Sequence, residues 1–368
     1  MIEEVKISEE DFFDPTVSFD FAFSQEKFDF FSFIEHYQNE PEKIETVFGR
    51  CNDYESKTRA FNKACSIIEK LNKKEKSNIS FRNVFENITT DRKSHKALIC
   101  ISGFLSQKDN MADQWKGVID YTDSDLPVFA YRWPAKSFTD LQSPLLKNKH
   151  LISTGVSLAM KGTAEYLKSK NKNQNEENKE GQQISSLLTW DNLKTAASLA
   201  AGAISVSAEY SKMFNHAREM ASKYGKLLGY CIILGYPFMH QQINLLAFSL
   251  GCQVIKSCLE VLDQYGYTGI IDNVYMLGGA TTIESSEYNL LKPVNTKFVN
   301  WYSSKDQILH LYKLATLNLV ALGQESVQFD KSKYNAKVYN YDVTEVAGGH
   351  TDYRSRMKNI LKACEFEC

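Results

Sequence analysis

The stretch LLAFSLGCQVIKSCLEVL, Leu245–Leu262, decides the fold. An apolar, strand-like run ends at Phe248. Ser249, Leu250 and Gly251 follow, and from Cys252 onward apolar residues recur at helical spacing. A strand that turns sharply through serine and glycine into a helix is the local pattern of a nucleophile elbow. The usual spacing there is Gly-x-Ser-x-Gly. Gly251 supplies the second small residue, and Ala247 stands where the first glycine would be, adding one methyl group. The plainer reading makes Ser249 a helix N-cap, the commonest role of a serine ahead of a helix.

What lies outward from this stretch favours the elbow. Upstream, HKALICISGF (95–104) and PVFAYRW (127–133) read as strands, with a helical MADQWKGVID between them. Downstream, IDNVYMLGG, TKFVNWYSS and AKVYNYDVT read as strands. CQVIKSCLEVL and QILHLYKLATL read as helices, and GGHTDYRSRMKNILKAC as a loop leading into a helix. Strands alternating with helices predict an α/β fold with a mostly parallel central sheet flanked by helices. Residues 95–368 would form that domain and residues 1–94 an N-terminal extension. A helical lid or cap would be inserted over 134–230, containing the polar loop 168–183, KSKNKNQNEENKEGQQ.

An acid and a histidine follow Ser249 in the order that an α/β-hydrolase arrangement needs, each just beyond a predicted strand. Asp306 comes after TKFVNWYSSK and His350 after AKVYNYDVTEVAGG. In that reading Ser249 is the nucleophile, His350 the base and Asp306 the group that orients the imidazole. The oxyanion donors are the backbone N–H groups of Leu250 and of Phe104, with Gly103 permitting the turn after HKALICISGF. Asp306 could instead cap the helix that follows it. His240, His310, Asp272 and Asp342 are rivals in poorer positions.

Composition narrows the function classes. The 368 residues are 43% hydrophobic and 24% charged with a net charge of −2, which is globular and gives no electrostatic case for nucleic acid. Eight cysteines, at 51, 65, 100, 231, 252, 258, 364 and 368, form neither a C-x-x-C pair nor a zinc-type cluster. No metal and no cofactor is expected. MIEEVKISEEDFF lacks the features of a signal peptide, and no apolar run reaches the roughly 18 residues of a span. TAASLAAGAISVSA (195–208) comes nearest and reads as a buried or interfacial helix. Reduced thiols and a cytoplasmic location are the expectation, with no transmembrane span and with peripheral membrane contact left open. The leader is rich in phenylalanine, at 12, 13, 19, 21, 23, 28, 30, 31 and 33. Those rings either pack onto the main core or dock a protein partner.

The blocks ALICISGFLSQKDNMADQW, VFAYRWPAKS, LLAFSLGCQVIKSCLEVL, IDNVYMLGGA, FVNWYSSKDQIL and GGHTDYR resemble those of the transmembrane and coiled-coil domain-containing hydrolase-like family. The family is catalogued as a domain of unknown function. Its Gly-Tyr-Ser-Leu-Gly corresponds to Ala247–Gly251, its Asn-Asp to Lys305 and Asp306, and its Gly-His-x-x-Tyr to Gly349, His350 and Tyr353. The resemblance covers most of Lys96–Leu361 and implies an α/β-hydrolase domain with a Ser–Asp–His triad, related to lipases and esterases. The resulting expectation is a serine hydrolase that cleaves an ester or lipid substrate through an acyl-enzyme. The alternative is a weakly active or inactive hydrolase-fold protein acting as a structural subunit.

Overall fold

The computed structural model describes residues 54–89, 92, 94–103, 110–134, 214–237, 242–306 and most of 308–367. The Phe-rich leader, the polar loop 168–183 and the apolar stretch 195–208 lie outside the described residues. Seven strands form one mixed sheet: β1 Phe85–Asn87, β2 Lys96–Ile101, β3 Val128–Tyr131, β4 Gln242–Phe248, β5 Ile271–Leu277, β6 Val294–Tyr302 and β7 Lys337–Asp342. Their spatial order is β1-β3-β2-β4-β5-β6-β7. Every pairing is parallel except that of β1 with β3.

The central strands are apolar on both faces because helices cover both. β4 is QINLLAF, with everything from Ile243 to Ala247 buried. Alternate residues of β2 divide between two cores: Ala97, Ile99 and Ile101 enter one, Leu98 and Cys100 the other. Among the described residues three long helices lie against the first core: α1 Tyr54–Glu75, α4 over 214–234 and α5 Gly251–Gln264. α1 contributes Ala60, Ala64 and Leu71, which recur on one helical face. The second core takes Trp115 and Val118 from the short turns α2 Met111–Gln114 and α3 Lys116–Ile119 and the residue between them. It also takes Ala347, Tyr353, Met357, Ile360 and Leu361 from α6 Thr344–Ala347, α7 Asp352–Ser355 and α8 Met357–Ala363.

Two segments stand differently from the sequence pattern. β1 lies within the stretch read as an extension, yet it closes one edge of the sheet against β3 through the register Phe85↔Tyr131 to Asn87↔Phe129. Helix α4 lies largely within the predicted insertion, yet it is packed into the first core through Leu227, Leu228 and Cys231.

The topology also marks where a site can form. After β2 the chain turns to β3 on one side, while β4 takes up the other side of β2. In an open α/β sheet, a crevice outside the carboxyl ends of the strands opens at such a reversal. The residues at its lips are those after β2, Ser102 and Gly103, and those after β4, Ser249 to Gly251.

Candidate active site

Ser249 follows β4 at φ +55°, a left-handed conformation that few residues other than glycine adopt. Such strain persists only where surrounding contacts impose it. Here they do so from both sides of the residue. The Ser249 N–H donates to the Leu277 carbonyl at 2.9 Å, and its own carbonyl accepts from Ala280 N at 3.0 Å and Cys252 N at 3.1 Å. Leu250, not Ser249, occupies the cap position of α5, and no side chain caps that helix. The serine side chain is therefore not used as a cap.

The turn fits only small neighbours. A Cβ on Gly251 would lie 2.4 Å from the Ile101 carbonyl oxygen and 2.8 Å from that of Ser102, because α5 starts directly against the end of β2. A Cβ on Gly103 would lie 2.8 Å from Ser249 Cβ. On the other side of the serine, Ala247 is fully buried in the first core.

Three side chains distant in sequence meet at this turn. His350 Nε2 lies 2.9 Å from Ser249 Oγ, across 101 residues of chain, and His350 Nδ1 lies 2.6 Å from Asp306 Oδ2, across 44. With the proton on Nδ1, the ring donates to the carboxylate and its Nε2 lone pair accepts the serine hydroxyl. Asp306 has no exposed side-chain surface, and its other oxygen, Oδ1, accepts Leu309 N at 3.2 Å. It caps the following turn and holds the imidazole at once. His350 itself retains 11% side-chain exposure. The loop carrying it is fixed by a reciprocal pair: Gly349 N donates to Asp352 Oδ2 at 3.0 Å and Asp352 N to the Gly349 carbonyl at 3.0 Å.

The rival residues are occupied elsewhere or fall outside view. Asp342 Oδ1 accepts Thr344 N, and Asp272 accepts from Asn295 and Thr296. His240 and His310 lie outside the described residues, as does Phe104, the expected second oxyanion donor. Leu250, the expected first donor, follows Ser249 in the turn and is fully buried.

Two groups of residues around the site were assigned no role from the sequence. At the end of β2, Ser102 Oγ donates to Gln114 Oε1 at 2.5 Å and accepts Trp115 Nε1 at 3.0 Å. Its carbonyl accepts Trp133 Nε1 at 2.8 Å. All four residues are buried, and together they fix the strand end that leads into Gly103. Around His350, Phe248 and Tyr353 bring their rings to 4.9 and 6.1 Å from the imidazole and 5.5 Å from each other. Burial, and after it the nearby Asp306 carboxylate, pushes the Tyr353 phenol well above its ordinary range, so it stays neutral. Tyr353 stands in the quoted GGHTDYR block. Phe248, by contrast, reads as one more apolar residue of a strand.

Chemically, a hydroxyl that shares its proton with an imidazole backed by a buried carboxylate is equipped for nucleophilic attack. No group of three His, Cys, Asp or Glu side chains gathers to hold a metal ion among the described residues.

Comparison with known proteins sharpens part of this. The chain is 28% identical over 174 residues to an uncharacterized membrane protein of Caenorhabditis elegans, covering 46% of this chain and 28% of that protein. It is 32% identical over 152 residues to a probable lipase of Saccharomyces cerevisiae, covering 40% of this chain and 14% of the relative. It is 30% identical over 152 residues to a transmembrane and coiled-coil domain-containing protein of Oryza sativa subsp. japonica, covering 40% and 22%. Each match spans less than a third of the relative's own length. No solved structure matches the chain.

The membrane names correct the expectation of a cytoplasmic location, which rested on composition alone. No helix among the described residues is long and apolar enough to cross a membrane, but several relatives carry membrane names. Amino-acid composition does not reveal whether a protein is attached to a membrane. The chain belongs to the family described as protein of unknown function (DUF726), whose pattern matches residues 59–367.

Proposed function

We propose that the chain is a serine hydrolase of the α/β-hydrolase fold that cleaves carboxylic esters, with lipid esters as the substrate class. The observation that carries this reading is the pair of hydrogen bonds Ser249–His350 and His350–Asp306, 2.9 and 2.6 Å long, at a positive-φ turn between strand and helix. The order serine, acid, histidine along the chain and the position of each beyond a parallel strand support the same reading. A relative named a probable lipase supports the choice of lipid esters.

In this reading the reaction has two halves. Ser249 Oγ attacks the ester carbonyl carbon as its proton passes to His350 Nε2, and Asp306 stabilises the imidazolium. The carbonyl oxygen becomes an oxyanion, stabilised by the N–H groups of Leu250 and Phe104. Collapse breaks the bond to the alcohol, which leaves with the proton held by His350. Water then gives its proton to His350 and attacks the acyl-serine, and the carboxylic acid departs as Ser249 recovers its hydrogen.

A fluorophosphonate probe tests the proposal, because it phosphonylates a serine only when that serine is activated. Wild type is expected to be labelled, and Ser249→Ala is expected not to be. An unlabelled wild type with an intact circular dichroism spectrum sinks the enzyme reading and leaves the hydrolase-fold structural subunit.

A further inference from the structure

The residue before the nucleophile has a role that its place in an apolar strand conceals. Phe248 is the last residue of β4, and its ring lies between two parts of the site. One face meets the imidazole of His350, with ring centroids 4.9 Å apart and planes inclined by 32°. Toward β2 it lies so near Gly103 that a Cβ there would come within 3.2 Å of Phe248 Cδ1. Tyr353, fully buried, supports both rings from the side at 5.5 and 6.1 Å. Asp306 holds the edge of the imidazole through Nδ1, and the phenyl ring lies against its face.

We infer that Phe248 is a positioning residue that fixes the plane of His350 and stabilises the imidazolium formed during turnover. The inference rests on the hydrolase reading. An aromatic face within about 6 Å attracts a cation through its ring quadrupole, and the attraction strengthens where water is partly excluded. His350 becomes cationic only after it takes the Ser249 proton, so the benefit falls on the transition state and not on substrate binding. Such an interaction raises kcat and leaves KM nearly unchanged. A ring that merely walled the acyl pocket would act chiefly on KM.

The test compares Phe248→Leu, similar in volume and without a quadrupole, with Phe248→Tyr, which keeps the aromatic face. Hydrolysis of a short-chain p-nitrophenyl ester and the rate of fluorophosphonate labelling are measured on the full chain. Phe248→Leu is expected to lower kcat and the labelling rate about 2- to 30-fold, with KM within about twofold, and Phe248→Tyr to restore both rates. A Leu variant with wild-type kcat, a Tyr variant as slow as Leu, or an effect confined to KM overturns the inference. If Phe248→Leu loses its cooperative melt, nuclear magnetic resonance of the wild type decides. The His350 ring protons, assigned by their loss in His350→Asn, are expected upfield of those of the other histidines, and an ordinary shift overturns the stacking. Failure of the wild type to label strikes the hydrolase reading instead, so the two failures are distinguishable.

Discussion

Ser102 and Ser249 stand at the carboxyl ends of neighbouring parallel strands, β2 and β4, and their burial is the same, 5% and 6% exposed. Their hydroxyls nevertheless have opposite occupations. Ser102 Oγ donates to Gln114, accepts from Trp115 and lies 3.9 Å from Met111 Sδ, so it points into the packing. Ser249 Oγ meets only the imidazole of His350 among its described side-chain partners, and its backbone is twisted to φ +55° to present it. Burial and residue type are equal, so neither separates the packed serine from the one proposed as nucleophile. The separation comes from the turn and from the chemistry of the partner: an indole and an amide fix a hydroxyl, whereas an imidazole can take its proton.

That contrast can be broken by substitution, and the largest effect belongs to Ser249→Ala. It is expected to lower ester hydrolysis on the order of 10⁴-fold or more while changing stability by less than about 1 kcal/mol, as followed by turnover and by urea titration. Next comes Gly251→Ala, whose new methyl meets the Ile101 carbonyl oxygen at 2.4 Å, backbone that cannot move aside cheaply. About 3 kcal/mol of destabilisation is expected, seen as a lower urea midpoint. Ser102→Ala reverses the pattern of Ser249→Ala. It leaves Trp115 Nε1 and Gln114 Oε1 without their partner, so a loss of about 2 kcal/mol is expected, with fluorophosphonate labelling of Ser249 retained. Equal loss of labelling in both serine variants would erase the distinction between them. The smallest effect is expected for Ala247→Gly, about 1 kcal/mol less stable and within about threefold of wild-type turnover. A tenfold gain in turnover would mean that the methyl at 247 restrains the elbow.

Much of the fold was legible because the central strands announce themselves. QINLLAF and IDNVYML are buried on both faces and read as short apolar runs between turn residues. β1 was not legible, since FEN is three residues long and all of them are half-buried. Its strand character comes from pairing with β3, not from its own composition. The packing of 214–234 was not legible for a related reason. A helix that packs on the sheet and one that covers a site share the same 3.6-residue pattern, and only the contacts of 214–234 show which it is.

By itself the sequence determined the local geometry around Ser249: an apolar strand, a small-residue turn and an amphipathic helix, each set by side chains a few positions apart. It also set the order in which serine, acid and histidine follow one another. Only the tertiary structure decided which of the histidines meets Ser249 across 101 residues, and that Asp306 both caps a turn and holds that histidine. It alone showed why Gly251 must be glycine, because the obstructing oxygen belongs to Ile101 on another strand, and why Phe248 lies against the imidazole. Periodicity reports how a residue relates to its neighbours along the chain. Contacts between strand ends depend on how the whole sheet brings distant segments together, and no local pattern carries that information.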